Sequence, residues 1–277
     1  LLDTPDLHSV NPGWGVDDTA NHGTGLAGLA AYGDLTPILA GTDPISPGHR
    51  LESVKLVSAE GSNEGDDKHH AHMFAEAVSR PEITAPERRR IFTTAVTASD
   101  YRDRGRPSSW SSMVDSLAAD IDTAGQDPRL FVLAAGNTRD HGAWVTYPDS
   151  LSTNLVHDPG QAWNAITVGA CTAKVETEHP SAVAIAPEGG LSPYTTTSMT
   201  RDWERPLKPD VVFEGGNVAK DELGAAGMPS LHPLTTDSRA NERLFTTTNA
   251  TSAASALCAR MAAQIMTATT SCAYCET

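Results

Sequence analysis

The sequence predicts an α/β fold of three layers, in which helices cover both faces of a mostly parallel central sheet. Two observations predict it. Apolar, β-branched runs recur along the chain, and segments with helical spacing lie between several of them. The runs are continuous rather than alternating, which is typical of strands that are buried on both faces.

Five runs predict the strands, and three segments between them predict helices. The strands are expected over 51–58, 91–99, 129–136, 164–172 and 209–216, which read LESVKLVS, IFTTAVTAS, RLFVLAAG, NAITVGACT and PDVVFEGG. The helices are expected over 22–33, 69–80 and 109–124, the last of them capped by Ser109. The stretch 217–243 is predicted to be a surface loop because it shows little periodicity. We expect a single domain over residues 1–277, incomplete at both ends.

The composition of the chain limits its possible partners. Its 277 residues carry a formal net charge of −15, which argues against a nucleic-acid-binding surface because phosphate contacts require clustered Lys and Arg. No apolar run approaches the length of a membrane span, and no signal peptide is recognisable after Leu1. The sequence predicts neither a cellular compartment nor an oligomeric state.

The sequence contains two groups of potential metal ligands, and we interpret neither as a metal site. Cys272 and Cys275 form a C-x-x-C pair, but a zinc site would require a second pair, which the sequence lacks. Asp and His residues also gather in the segment DDKHHAH, residues 66–72. We interpret this segment as a solvated loop and helix entry rather than a divalent-metal site. No metal and no other cofactor is predicted.

The segment NATSAASALCARMAA, residues 249–263, places a hydroxyl pair at the start of a helix of small residues. Ser252 falls in the first turn, near the positive end of the helix dipole and near backbone N–H groups without partners. Such groups can hold a negatively charged oxygen. Taken alone, however, the segment is typical of a capped core helix.

The segment NHGTGLAG, residues 21–28, allows two interpretations. His22 at the mouth of a helix, followed by a glycine that permits close approach, is a candidate for a positioned base. The glycines at 23, 25 and 28 also satisfy the dinucleotide-binding pattern G-x-G-x-x-G, which requires a buried strand immediately before it. The preceding residues are polar and turn-forming, which favours the first interpretation.

The segment LAAGN, residues 133–137, ends an apolar strand with an amide side chain. Sites of open α/β sheets gather at the carboxyl ends of strands. Asn137 is therefore a candidate hydrogen-bond donor, although an ordinary turn asparagine would look the same.

Taken together, HGTGLAG, LAAGN and ATSAAS resemble the subtilisin-like serine proteases, the subtilase family (peptidase S8). The family patterns are His-Gly-Thr-x-x-Ala-Gly, Ala-Gly-Asn and Gly-Thr-Ser-x-Ala-x-Pro, in the same order. The segment KPDVVFEGG also resembles a family segment ahead of the serine. Ala250 and Ala256 depart from the family's glycine and proline. The resemblance implies a subtilisin-like fold.

The resemblance also implies a serine endopeptidase that hydrolyses a polypeptide substrate through an acyl-enzyme. Ser252 would be the nucleophile, His22 the base and Asn137 the oxyanion donor, with the Ser252 N–H as its partner. The substrate would lie as an added strand beside two strand ends. The residues expected to line this cleft are Thr97, Ala98, Ser99, Leu133, Ala134, Ala135 and Gly136.

The resemblance leaves more than one candidate for the catalytic acid. LLDTPD matches the family's strand that ends in Asp-Thr-Gly, which makes Asp3 the candidate, although Pro5 stands where glycine is expected. The interval from Asp3 to His22, 22 − 3 = 19 residues, is shorter than is usual in the family. Asp17 and Asp18 are alternatives. The competing hypothesis is a subtilase-like domain without activity that serves as a binding or regulatory module.

Overall fold

The computed structural model describes residues 2–58, 70–98, 106–199 and 206–273, with side chains up to residue 269. Ser99, residues 66–69 and Cys275 lie outside the described residues. The helices are α1 (His22–Tyr32), α2 (Leu35–Leu39), α3 (His70–Thr84), α4 (Ser109–Ala118), α5 (His141–Val145) and α6 (Ala250–Ala273). The strands are β1 (Leu7–Ser9), β2 (Ser53–Lys55), β3 (Ile91–Thr94), β4 (Leu130–Ala134), β5 (Ile166–Cys171), β6 (Val183–Ala184), β7 (Val211–Glu214), β8 (Val218–Asp221), β9 (Gly224–Gly227), β10 (Leu234–Thr236) and β11 (Phe245–Thr247).

The central sheet is parallel and has the strand order β3-β4-β5-β7. A second parallel pair joins β1 to β2. The sequence prediction of a mostly parallel α/β fold is therefore confirmed, and each of the five predicted strands is present in shortened form. The middle strands β4 and β5 are almost fully buried, as their continuous apolar runs indicate.

Helices cover both faces of the central sheet. Successive side chains of a strand point to opposite faces, so Val132 of β4 packs with α6, whereas Phe131 and Leu133 pack with α3 and α4. The small residues of α6, among them Ala254 and Ala259, let this helix lie close to the sheet. These contacts form the two outer layers that the sequence predicts.

The two parallel sheets meet at the ends where their strands begin. Arg90, just before β3, donates to Glu52, just before β2, over 2.7 Å. The described residues show no hydrogen-bonded pairing between β2 and β3. No helix in the described ranges is long and apolar enough to span a bilayer.

The prediction of a loop over 217–243 is wrong. This stretch contains β8, β9 and β10, which form antiparallel pairs with β6 and β11. The strands have only three or four residues, and β9 consists of Gly and Ala. Hydrophobic periodicity gives no signal in such segments, because contacts from distant parts of the chain stabilise them.

Candidate active site

The first residue of α6 is strained. Ala250 has φ of 66°, in the left-handed region, which costs about 1 kcal/mol for a residue with a Cβ. The Ala250 N–H donates to the Gly215 carbonyl, directly after β7, over 2.6 Å. The sheet thus holds the chain in this conformation and places Ser252 in the first helical turn. In the described part of the chain, no carbonyl accepts from the Ser252 N–H.

Asn137 links the carboxyl end of β4 to the start of α6. Its Oδ1 accepts hydrogen bonds from the Thr251 N–H over 3.0 Å and from Thr251 Oγ1 over 2.7 Å. Because Asn137 Oδ1 faces Thr251, the Nδ2 group on the other side of the same amide points away from Thr251. No described residue accepts a hydrogen bond from Asn137 Nδ2.

His22 is the first residue of α1 and is held through its neighbour Asn21. Asn21 adopts the left-handed conformation, with φ of 61°. Its side chain donates to Asp237 Oδ2 over 3.1 Å and accepts from the Ser238 N–H over 2.6 Å. Both ends of the Asn21 amide are therefore used to fix the entry to the helix.

The glycines after His22 allow α1 to pack against β10. Thr235 Oγ1 donates to the Gly25 carbonyl over 2.6 Å, and a Cβ at Gly28 would collide with the side chains of Thr235 and Thr236. Residues 10–21, all of them described, contain turns and a short 3-10 helix but no strand. The glycine pattern therefore serves helix packing, and the strand that a dinucleotide site requires is absent.

The fold brings the three predicted residues to one cavity. His22, Asn137 and Ser252 all line a pocket of about 380 Å³. They come from the starts of α1 and α6 and from the end of β4. The remaining lining residues are Arg139, Trp144, Tyr194, Gly227, Thr248, Asn249 and Ala250. A base, a hydroxyl and an amide donor in one concave site are the groups that acyl transfer requires.

Comparison with protein families agrees with this arrangement of groups. The model of the subtilase family matches residues 2–274. The chain belongs to the subtilase family. The solved structure of an S41 psychrophilic protease is similar, with a TM-score of 0.50 and 18% identity. The match covers 92% of the present chain and 65% of that protease, so this subtilase chain spans less than two thirds of it. No curated protein matches the chain.

Asp3 of this subtilase forms no ion pair and no hydrogen bond with His22 among the described contacts. Its carboxylate is 68% exposed and pairs with Arg50. The Asp3 N–H lies 3.4 Å from Asp6 Oδ2, so its backbone is also bonded within the segment that precedes β1. No described carboxylate forms an ion pair with the His22 imidazole.

Asp18 is the alternative whose charge acts on His22. Its Oδ2 accepts from the Thr24 N–H over 2.6 Å, and its Oδ1 accepts from the Ala20 N–H over 3.0 Å, so the carboxylate caps α1. Burial lowers the pKa of His22 below its ordinary value, the negative charge of Asp18 opposes this, and the Arg139 guanidinium adds to it. The imidazole is consequently held mainly neutral at neutral pH.

The predicted cleft residues have two different environments. Thr97 and Ala98 lie at the carboxyl end of β3, where Ala98 N donates to the Asp158 carbonyl over 2.8 Å. Leu133 and Ala134 are buried between β3 and β5, and Ala135 bonds to Val168 and His157 through both backbone groups. A substrate strand cannot pair with the backbone of Leu133, because both edges of β4 are occupied there. The added substrate strand therefore remains a prediction for the segment of Thr97 and Ala98.

Gly136 has a structural role beside Asn137. Its N–H donates to Thr251 Oγ1 over 3.2 Å, and a Cβ would collide with the ring of His157. His157 Nδ1 lies 3.4 Å from Thr97 Oγ1. Burial lowers the pKa of His157 to about 4. This neutral ring supports the chain directly before Asn137.

Sequence analysis missed one wall of the cavity. Trp144 and Tyr194 are buried there with their rings edge to face, 5.4 Å apart. The Tyr194 hydroxyl lies 3.0 Å from His232 Nε2, and Asn249 Nδ2 lies 3.3 Å from the same nitrogen. No motif marks these residues, which are distant in sequence. Only Arg139, two positions after Asn137, could have been noticed from its place in LAAGNTR.

Proposed function

We propose that this subtilase domain is a serine endopeptidase that cleaves polypeptides through an acyl-enzyme. The observation that carries the proposal is the single cavity lined by His22, Asn137 and Ser252. Membership of the subtilase family supports it.

In the proposed reaction, Ser252 Oγ attacks the peptide carbonyl carbon while the neutral His22 imidazole accepts the hydroxyl proton. The tetrahedral oxyanion is stabilised by Asn137 Nδ2 and by the Ser252 N–H in the first turn of α6. His22 then gives its proton to the leaving amine nitrogen as the C–N bond breaks. Water hydrolyses the resulting ester by the same steps in reverse and regenerates Ser252.

For the negative charge beside His22 we propose Asp18. Its carboxylate raises the pKa of His22, and it is fixed by two backbone donors at the start of the same helix. It would stabilise the imidazolium that forms when Ser252 loses its proton. Asp3 is less suited, because it is engaged with Arg50.

One observation favours the second candidate, an inactive subtilase-like binding module. No carboxylate among the described residues is hydrogen-bonded to the His22 imidazole. In the serine-protease triad that bond selects the tautomer of the base. A domain without it would bind a polypeptide in the cavity and leave it intact.

Labelling with a fluorophosphonate probe separates the two candidates. The phosphorus atom reacts only with an activated serine, so the wild-type chain is expected to be labelled and Ser252→Ala is not. Ser255→Ala is the matched control, because Ser255 lies one turn further along α6 and donates to the Ser252 carbonyl. A folded wild-type chain that resists labelling would establish the inactive module.

The rate of labelling is expected to fall on acidification as His22 becomes protonated. Because the pKa of His22 is lowered, this fall should occur below the pH at which an ordinary histidine titrates. The base must be neutral to accept a proton, so the rate holds at neutral pH and declines only when His22 becomes protonated. Asp18→Asn removes the charge that raises this pKa and should move the decline to lower pH. Rates between about pH 5 and pH 8 test this. A decline at an unchanged pH in Asp18→Asn would contradict the role of Asp18.

A further inference from the structure

Arg139 places a positive charge in the candidate active-site cavity without a counter-ion. It lines this cavity together with His22 and Ser252. No described carboxylate lies in an ion pair with it, whereas most described arginines have such a partner. The paired arginines are Arg50, Arg80, Arg88, Arg90, Arg129, Arg239 and Arg243.

We propose that Arg139 selects polypeptides with an acidic side chain on the leaving-group side of the cleaved bond. This inference rests on the proposed peptidase function, because it names the substrate class of the same cavity. Arg139 would form an ion pair with the Asp or Glu side chain that directly follows that bond.

The backbone at this position is firmly held. The Thr138 N–H donates to the Tyr194 carbonyl over 2.8 Å, and the Trp144 indole N–H donates to the Thr138 carbonyl over 3.1 Å. Both backbone groups of the residue before Arg139 are thus fixed by the aromatic wall. The planar guanidinium of Arg139 can bind a carboxylate with two parallel hydrogen bonds, so less freedom is lost for each bond formed.

Two acids are already engaged: Asp140, the neighbour of Arg139 in sequence, and Asp18, whose charge, like that of Arg139, acts on His22. Asp140 Oδ1 accepts from the Gly142 N–H over 2.9 Å at the start of α5, and Asp18 caps α1. The charge of Arg139 nevertheless reaches the site, since it contributes to lowering the pKa of both His22 and His157. In a chain with a formal net charge of −15, this cavity offers a local cation to an acidic ligand.

The position of the cavity indicates the leaving-group side. The acyl part of the substrate is proposed to lie beside Thr97 and Ala98, and neither residue lines the cavity. A peptide that passes Ser252 would leave that segment and enter the space between Trp144, Tyr194 and Arg139. Arg139 itself is exposed at the rim of this space, where an incoming carboxylate can reach its guanidinium.

Peptide binding to Ser252→Ala tests the inference without requiring catalysis. Fluorescently labelled peptides that differ only in Glu, Gln or Lys after the bond to be cleaved would be compared by anisotropy. We expect the Glu peptide to bind up to about fivefold more tightly than the Gln peptide, the effect of an ion pair with an exposed arginine. In the Ser252→Ala background, Arg139→Gln should abolish the preference for the Glu peptide. Arg139→Glu in the same background should make the Lys peptide bind most tightly.

Two controls separate this inference from the proposed function. Lys220→Gln removes the same charge from an exposed position on β8, outside the cavity, and should keep the preference for Glu. A Glu preference that survives Arg139→Gln, or that moves with the residue before the cleaved bond, would overturn the inference. Failure of the probe to label Ser252 would overturn only the peptidase activity, because the binding preference is measured separately.

Discussion

His22→Ala is expected to lower kcat by about a million-fold, as much as Ser252→Ala does, and the double variant is expected to lose no more. The magnitude is the one found for subtilisin. The physical reason is shared: His22 and Ser252 line one cavity, and neither the base nor the nucleophile contributes without the other. What remains after either change is the contribution of the oxyanion donors and of substrate binding.

The measurement is kcat on a peptide substrate for the two single variants and the double variant, with folding checked by circular dichroism. His179→Ala is the control, because His179 is exposed and, among the described residues, its ring bonds only to Ser181. Additive losses in the double variant would contradict the proposal that His22 acts through Ser252. A loss of similar size in His179→Ala would mean that the histidine effect is not local to the site.

Asn137→Asp is expected to lower kcat by about 10²–10³ while the domain stays folded. This magnitude again comes from subtilisin. The carboxylate keeps an oxygen acceptor for the Thr251 N–H and hydroxyl, which Asn137 Oδ1 holds at 3.0 Å and 2.7 Å. It lacks the Nδ2 donor, and its negative charge repels the developing oxyanion.

Asn137→Leu separates the catalytic role from the structural role. It removes both the donor and the acceptor, so the buried Thr251 N–H loses its partner at a cost of about 1–3 kcal/mol in the free energy of unfolding. We therefore expect both variants to lose activity and only Asn137→Leu to lose stability, as urea unfolding would measure. An unchanged kcat in Asn137→Asp would rule out Asn137 as an oxyanion donor.

Two departures from the family pattern near Ser252 were visible in the sequence, and the structure shows what each does. Ala250 takes the left-handed conformation that a glycine would adopt more easily, because its N–H is tied to Gly215. Ala256 is buried against Leu29 and Ala253, where α6 meets α1. Neither change removes a group on which the proposed chemistry depends.

The sequence by itself predicted the strands of the central sheet and the helices α1, α3, α4 and α6. It also pointed to His22, Asn137 and Ser252, which the structure brings to one cavity. Their signals are local, since buried parallel strands require continuous apolar runs and a helix start requires capping groups and small residues.

The tertiary structure alone decided the surroundings of these residues. It paired both edges of the strand that carries Leu133 and Ala134, which closes that strand to substrate. It also engaged Asp3 with Arg50 and brought Arg139 and Tyr194 to one cavity. These outcomes depend on which strands become neighbours and on contacts between distant segments, and hydrophobic period and motif spacing carry no information about either.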